Sequence, residues 1–166
     1  MNLQQELANK AEILADMLLA SQAHLVTAES CTGGGLAELL TRIPGSSRWF
    51  ECGLVTYSNA SKMTVLNVQE KSLHDSGAVS ERVADEMAKG AWKNYAGTIS
   101  VSITGIAGPT GGTVEKPVGT VCLSCSDNQN YSKTIRCLLT GDREEIRDES
   151  CLMALDLLIE RLQELD

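Results

Sequence analysis

A short apolar run that empties into a glycine turn constrains this chain more than any other feature. Leu25-Val26 leads through Thr27-Ala28-Glu29-Ser30-Cys31-Thr32 into Gly33-Gly34-Gly35, and a helix-like segment, Leu36 to Thr41, follows. A helix start of this kind is expected to be an anion site, because its first N–H groups lack helical partners and its dipole favours negative charge. Gly33 and Gly34 let backbone approach a ligand closely. Ser30 and Thr32 add hydroxyls suited to nucleophilic attack or to phosphate contact. The turn is neither the G-x-G-x-x-G dinucleotide fingerprint nor a Walker A loop, since no Gly-Lys-Ser/Thr follows. Taken alone, a turn like this also serves simply to reverse the chain.

The rest of the chain supplies the context. Leu3, Leu7, Leu14, Met17 and Leu18 recur at helical spacing, which predicts a helix over 3–21. Strands are expected at 24–28, 51–57 and 98–103, and helices at 34–41, at 59–66 with Asn59 as its cap, and at 81–94 with Ser80 as its cap. Two late strands, 118–124 and 131–139, read as a hairpin, and Asp142 with Glu145 opens a final helix reaching about residue 165. Helices alternate with strands early and an antiparallel pair comes late. That order implies a three-layer α/β/α sandwich with a mixed β-sheet, residues 1–166 forming one domain.

The 166 residues carry a formal charge of -8, which argues against general binding to nucleic acid or anionic membranes. No apolar run approaches membrane-spanning length and the N-terminus is polar, so a cytoplasmic location with reduced thiols is expected. The six cysteines read as small core residues. Cys122 and Cys125 lie three apart in a predicted strand and point to opposite faces, so they cannot share a metal. His24 and His74 are isolated, and neither a metal site nor a cofactor is expected. The broad apolar face of the last helix, with Leu155, Leu157, Leu158, Ile159 and Leu162, suits either a partner or the sheet.

Three glycine- or hydroxyl-rich loops follow three predicted strands: 30–35, 57–62 and 104–112. In open α/β sheets, ligands bind at the carboxyl ends of strands. Ser30, Ser47, Tyr57 and Lys62 are the reactive candidates. A serine needs an adjacent base, no His-Asp pair is near one, and lysine serves as base when burial lowers its pKa. Tyr57 and Lys62 are five apart, not the Tyr-x-x-x-Lys of short-chain dehydrogenases, and the nucleotide turn of those enzymes is absent. Arg143 at the last helix start suits a two-pronged phosphate clamp, or a surface pair with Glu144 or Glu145. Arg147 is similar, and Glu115 and Lys116 suit the rim of the third loop.

Taken together, Ala28-Glu29-Ser30-Cys31-Thr32-Gly33-Gly34, Gly45-Ser46-Ser47-Arg48-Trp49-Phe50, Val55-Thr56-Tyr57-Ser58-Asn59, Gly77-Ala78-Val79-Ser80, Ser102-Ile103-Thr104-Gly105-Ile106-Ala107-Gly108-Pro109 and Lys116-Pro117-Val118-Gly119-Thr120-Val121 resemble the CinA C-terminal family, in order, over about residues 5–160. The resemblance implies a metal-free α/β/α fold, a homodimer, and the activity of the family's enzymatic members, which hydrolyse the carboxamide of nicotinamide mononucleotide in pyridine-nucleotide recycling. It places Ser30, Ser47, Tyr57 and Lys62 at catalytic positions, either serine being the nucleophile. Thr32, Gly33, Gly34, Thr104, Gly105 and Arg143 then form the expected substrate-binding set. Gly35 stands where the resemblance leads one to expect a bulky residue, often Trp, and this departure predicts a wider pocket or a looser loop. The molybdopterin-binding-like domain of larger members does not fit within 166 residues, so its dinucleotide pyrophosphate hydrolysis is expected to be missing. An amidase for another small amide and a catalytically silent nucleotide binder are the competing expectations.

Overall fold

The computed structural model describes residues 2–165. Five strands form one sheet in the order β2-β1-β3-β4-β5: β1 Leu25–Glu29, β2 Phe50–Val55, β3 Ile99–Gly105, β4 Thr120–Asp127 and β5 Ser132–Leu138. β1 runs parallel to both β2 and β3, and β4 runs antiparallel to β3 and β5. The sheet is therefore mixed, and β4 and β5 form the expected hairpin.

Helices cover both faces. On one side lie α1 Leu3–Ser21, α2 Gly35–Thr41 and α6 Arg143–Gln163. Their apolar stripes share a core with Val101, Ile103, Val121 and Leu123. On the other lie α3 Asn59–Leu66, α4 Glu70–Ser76 and α5 Glu81–Asn94, packed over Val26 and Ala28. Because each side of a strand meets a helix layer, β1 and β4 are buried at every residue, as two-sided burial requires. Cys125 enters the α6-side core while Cys122, one step out of phase, faces the other way, and all six cysteines are free. α5 passes α3 so closely that a Cβ on Gly90 would lie 1.9 Å from the Leu66 carbonyl oxygen, so only glycine fits there.

Several local expectations need correction. Ser58, not Asn59, caps α3, through a reciprocal box with Ser61. The short α4 escapes a periodicity argument because Leu73 is its one large apolar residue, buried beside a Ser72 hydroxyl that donates to Glu86. The apolar residues of α6 are spent inside the molecule: Leu155, Leu157, Leu158 and Leu162 are buried and Ile159 packs against the same core, so this face is not a free partner surface. Among the described residues no helix is long and apolar enough to cross a membrane.

Candidate active site

The crossovers fix where a site can form. The chain leaves β1 through α2 on one face, and leaves β2 through α3–α5 on the other before entering β3. The carboxyl ends of β1 and β3 consequently flank a topological switch point, where open sheets form crevices. A cleft of about 270 Å³ lies there, lined among others by Ser30, Cys31, Tyr57, Lys62, Thr104 and Arg143.

Ser30 extends β1 by one residue, its N–H donating to the Ile103 carbonyl at 3.0 Å. Lys62 comes from the first turns of α3, and its side chain runs inward rather than to solvent. It is 1% exposed and Ser30 is 8% exposed. Lys62 Nζ donates to Ser30 Oγ at 2.9 Å, to the Thr56 carbonyl at 2.7 Å and to the Tyr57 carbonyl at 3.4 Å. No carboxylate is among these partners. Burial disfavours the ammonium form, and the Lys62 pKa is lowered to about 8. A lysine in this state exchanges a proton with a serine hydroxyl near neutral pH. Its remaining two N–H groups stay on the two carbonyls while its lone pair faces Ser30.

The structure separates the other candidates. Ser47 sits in a single 3-10 turn, Ser46–Arg48, that precedes β2, whereas Ser30 follows β1. β1 and β2 are parallel, and the Leu25 N–H donates to the Trp49 carbonyl at 2.7 Å, so Ser47 lies at the opposite end of the sheet. A five-residue strand puts roughly 15 Å between the two serines. Within one chain, Ser47 does not join Ser30 and Lys62. Tyr57 is at the cleft but 60% exposed: its carbonyl contacts Lys62, while its hydroxyl accepts from Arg143 Nη2 at 3.2 Å. A proton relay through the Tyr57 hydroxyl has no contact to use. Arg143 also donates through Nη1 to the Gly108 carbonyl at 2.7 Å, tying the third loop to the cleft mouth, and pairs with neither Glu144 nor Glu145. The Thr104 hydroxyl donates to the Ala78 carbonyl, fixing the segment before α5. Gly105 allows Cys31 to pack at the end of β3, for a Cβ there would lie 3.1 Å from Cys31 Sγ and 2.8 Å from Val121. Lys116 Nζ donates to the Ser76 carbonyl at 2.5 Å and anchors the third loop from its far side.

The expected anion site at the start of α2 is filled by the chain itself. The Glu29 carboxylate, buried at the end of β1, accepts from the Thr32 hydroxyl at 2.7 Å, from the Gly34 and Leu36 N–H groups at 3.1 Å each, and from the Ala37 N–H at 2.8 Å. The Gly33 and Gly35 N–H groups bond to the Ser30 and Thr32 carbonyls. The Thr32 hydroxyl and the Gly33 and Gly34 N–H groups therefore build the turn and are not free for a substrate. By contrast, the N–H groups of Cys31 and Thr32 donate to no backbone or side-chain oxygen among the described residues. Glu29 was open to detection in the sequence, as the one charge in a fully buried strand directly before the turn. Gly35 does not widen the Ser30 cleft. It lines a separate cleft of about 360 Å³ between α1, α2 and α6, with Gln4, Leu7, Arg147 and Cys151. Among the described residues no group of three His, Cys, Asp or Glu is placed to hold a metal.

Comparison with known proteins places the chain in a family. The CinA C-terminal domain family matches residues 7–162. The chain is 46% identical over 153 residues to the nicotinamide-nucleotide amidohydrolase PncC of Escherichia coli K12, covering 92% of this chain and 93% of that one. It is also 46% identical over 147 residues to PncC of Pseudomonas putida, covering 89% and 91%. The crystal structure of the competence/damage inducible protein CihA from Agrobacterium tumefaciens superposes with a TM-score of 0.92 at 37% identity, over 95% of this chain and 96% of that one. The chain thus belongs to the CinA C-terminal domain family.

Proposed function

We propose that this chain is a nicotinamide-nucleotide amidase that uses Ser30 as nucleophile and Lys62 as its proton acceptor. The buried Ser30–Lys62 contact at the strand ends carries the reading, and the names of the relatives at 46% identity supply the substrate class. Ser30 Oγ attacks the carboxamide carbon while its proton passes to Lys62 Nζ. The oxyanion is held by the Cys31 and Thr32 N–H groups, which donate to no oxygen among the described residues. Collapse of the adduct expels ammonia with the proton from Lys62. Water then releases nicotinate mononucleotide by the same shuttle. Arg143 and Tyr57 at the cleft mouth would meet the phosphate end. Homodimer formation, a cytoplasmic location and a place in pyridine-nucleotide recycling belong to this proposal, and light scattering on purified protein checks the first.

The test is ammonia release from nicotinamide mononucleotide, with chelator present, by wild type, Ser30→Ala and Lys62→Ala, together with mass spectrometry of the trapped acyl-enzyme. The expected result is release by wild type alone and a label on the Ser30 peptide. Undiminished release by Ser30→Ala would replace covalent catalysis with direct attack by water, and no release by folded wild type would transfer the reading to another amide or to a silent binder.

A further inference from the structure

Two chains of contacts converge on residue 29. The Glu29 carbonyl accepts from the Thr56 N–H at 2.8 Å, and the Thr56 carbonyl accepts from Lys62 Nζ. The Glu29 side chain meanwhile gathers Thr32, Gly34, Leu36 and Ala37, the whole turn that leaves Ser30. A carboxylate 1% exposed with four donors on two oxygens is far more than a surface helix cap. It is also poorly replaced. Glutamine keeps the shape, but its amide NH2 must face either Ala37 N–H or the trio of Thr32, Gly34 and Leu36, and either choice sets donor against donor. Arg147 completes the support from α6, donating through Nη2 to the Thr32 carbonyl at 2.8 Å, so the turn is held from within by an anion and from outside by a cation.

We propose that Glu29 is a positioning residue for the Ser30 chemistry: its buried carboxylate sets the 30–36 turn so that Ser30 Oγ meets Lys62 and the Cys31 and Thr32 N–H groups stay free for the oxyanion. This rests on the reading of Ser30 as nucleophile, and it adds a dependence on an ionised group that never contacts substrate. Because the carboxylate acts on the geometry of attack and not on substrate contact, its loss lowers kcat and spares KM.

The experiment compares wild type, Glu29→Gln, Glu29→Asp and Thr32→Val by three readouts. These are kcat and KM on nicotinamide mononucleotide, the acylation rate of Ser30 by p-nitrophenyl acetate, and amide hydrogen exchange at Gly34, Leu36 and Ala37. The expected result for Glu29→Gln is a kcat and an acylation rate lower by roughly 100-fold, the cost of a misplaced reacting group. KM stays within about threefold, the pH midpoint set by Lys62 is unmoved, and the three amides lose protection. Thr32→Val, which removes one donor and leaves three, loses less than Glu29→Gln. A folded Glu29→Gln with wild-type acylation and kcat overturns the proposal, as does equal loss in kcat and affinity. If Glu29→Gln does not fold, Thr32→Val decides, and wild-type rates with unprotected amides in that variant overturn the proposal. Should wild type act on no nicotinamide nucleotide, the substrate assignment falls and the acylation rates still test Glu29. A wild-type Ser30 that is not acylated overturns both.

Discussion

Among the described residues two cations are buried, one at each end of the sheet, and they are treated in opposite ways. Arg161 of α6 reaches the end formed by the β4–β5 turn. It donates to Asp127 Oδ2 at 2.7 Å and stacks 4.2 Å from the centre of the Tyr131 ring. Burial there works against its charge, but the hydrogen bond and the attraction of Asp127 outweigh it, and the net direction is upward. Lys62 at the other end has carbonyls and a hydroxyl for company and no carboxylate, so burial dominates and its pKa falls to about 8. A permanently charged, paired cation is structural material. A cation buried without a counter-charge is destabilising in its charged form and therefore gives up a proton readily, which is what a base beside a serine requires.

The largest effect expected from this contrast is on turnover. Lys62→Arg keeps the positive charge but not the titration, since guanidinium stays protonated. Steady-state ammonia assays should show a loss of roughly 10²- to 10⁴-fold, the usual worth of a positioned acid–base group. Wild-type kcat/KM should rise with pH through a midpoint near 8, because the neutral amine is the active form and the lysine loses its proton as pH climbs through that value. A profile that falls across this range would contradict the role of base. The mirror experiment is Arg161→Met. It strands a buried Asp127, which should cost about 3 kcal/mol in urea unfolding, with kcat per folded molecule unchanged. If the two variants exchange phenotypes, the contrast is wrong.

How these differences show in a sequence is uneven. The layered order, the late hairpin and the Asp142 cap are local patterns, and they appear in the structure where spacing puts them. Lys62 was visible as a candidate, yet its burial is a tertiary fact: α3 places it on the face that meets Thr56 and Ser30. The separation of Ser47 from Ser30 within one chain follows from topology. Once β1 and β2 are read as parallel, loops after the strands share one end, and a serine before β2 lies at the other. Glu29, the one charge directly before the turn, was passed over for another reason. A glycine turn at a helix start advertises unpaired N–H groups, and pattern alone does not say that the strand before it brings its own anion. The seven-residue α4 has too little apolar surface to leave a period.

A smaller effect tests the cleft mouth, where Arg143 is an exposed cation between Gly108 and Tyr57. Arg143→Ala should raise KM for nicotinamide mononucleotide about tenfold, the scale of one lost charge-assisted hydrogen bond. The unphosphorylated riboside should change little, and equal changes for both substrates would remove the phosphate contact from the proposal.

The smallest expected effect is the most discriminating for Tyr57. Its connection to the Ser30–Lys62 pair is the backbone carbonyl, which any side chain retains, and its hydroxyl meets only the exposed guanidinium at 3.2 Å. An exposed hydrogen bond of this kind is worth about 0.5–1.5 kcal/mol. Tyr57→Phe should therefore lower kcat/KM by no more than about tenfold, through KM, and leave the pH midpoint near 8 where Lys62 sets it. The contrast between the two buried cations holds that Lys62 is tuned chiefly by burial, with no carboxylate hydrogen-bonded to it. A Tyr57→Phe enzyme with kcat reduced a hundredfold and a displaced midpoint would show that a phenol takes part in the titration, and the lysine would then no longer be the isolated cation that distinguishes this end of the sheet from the other.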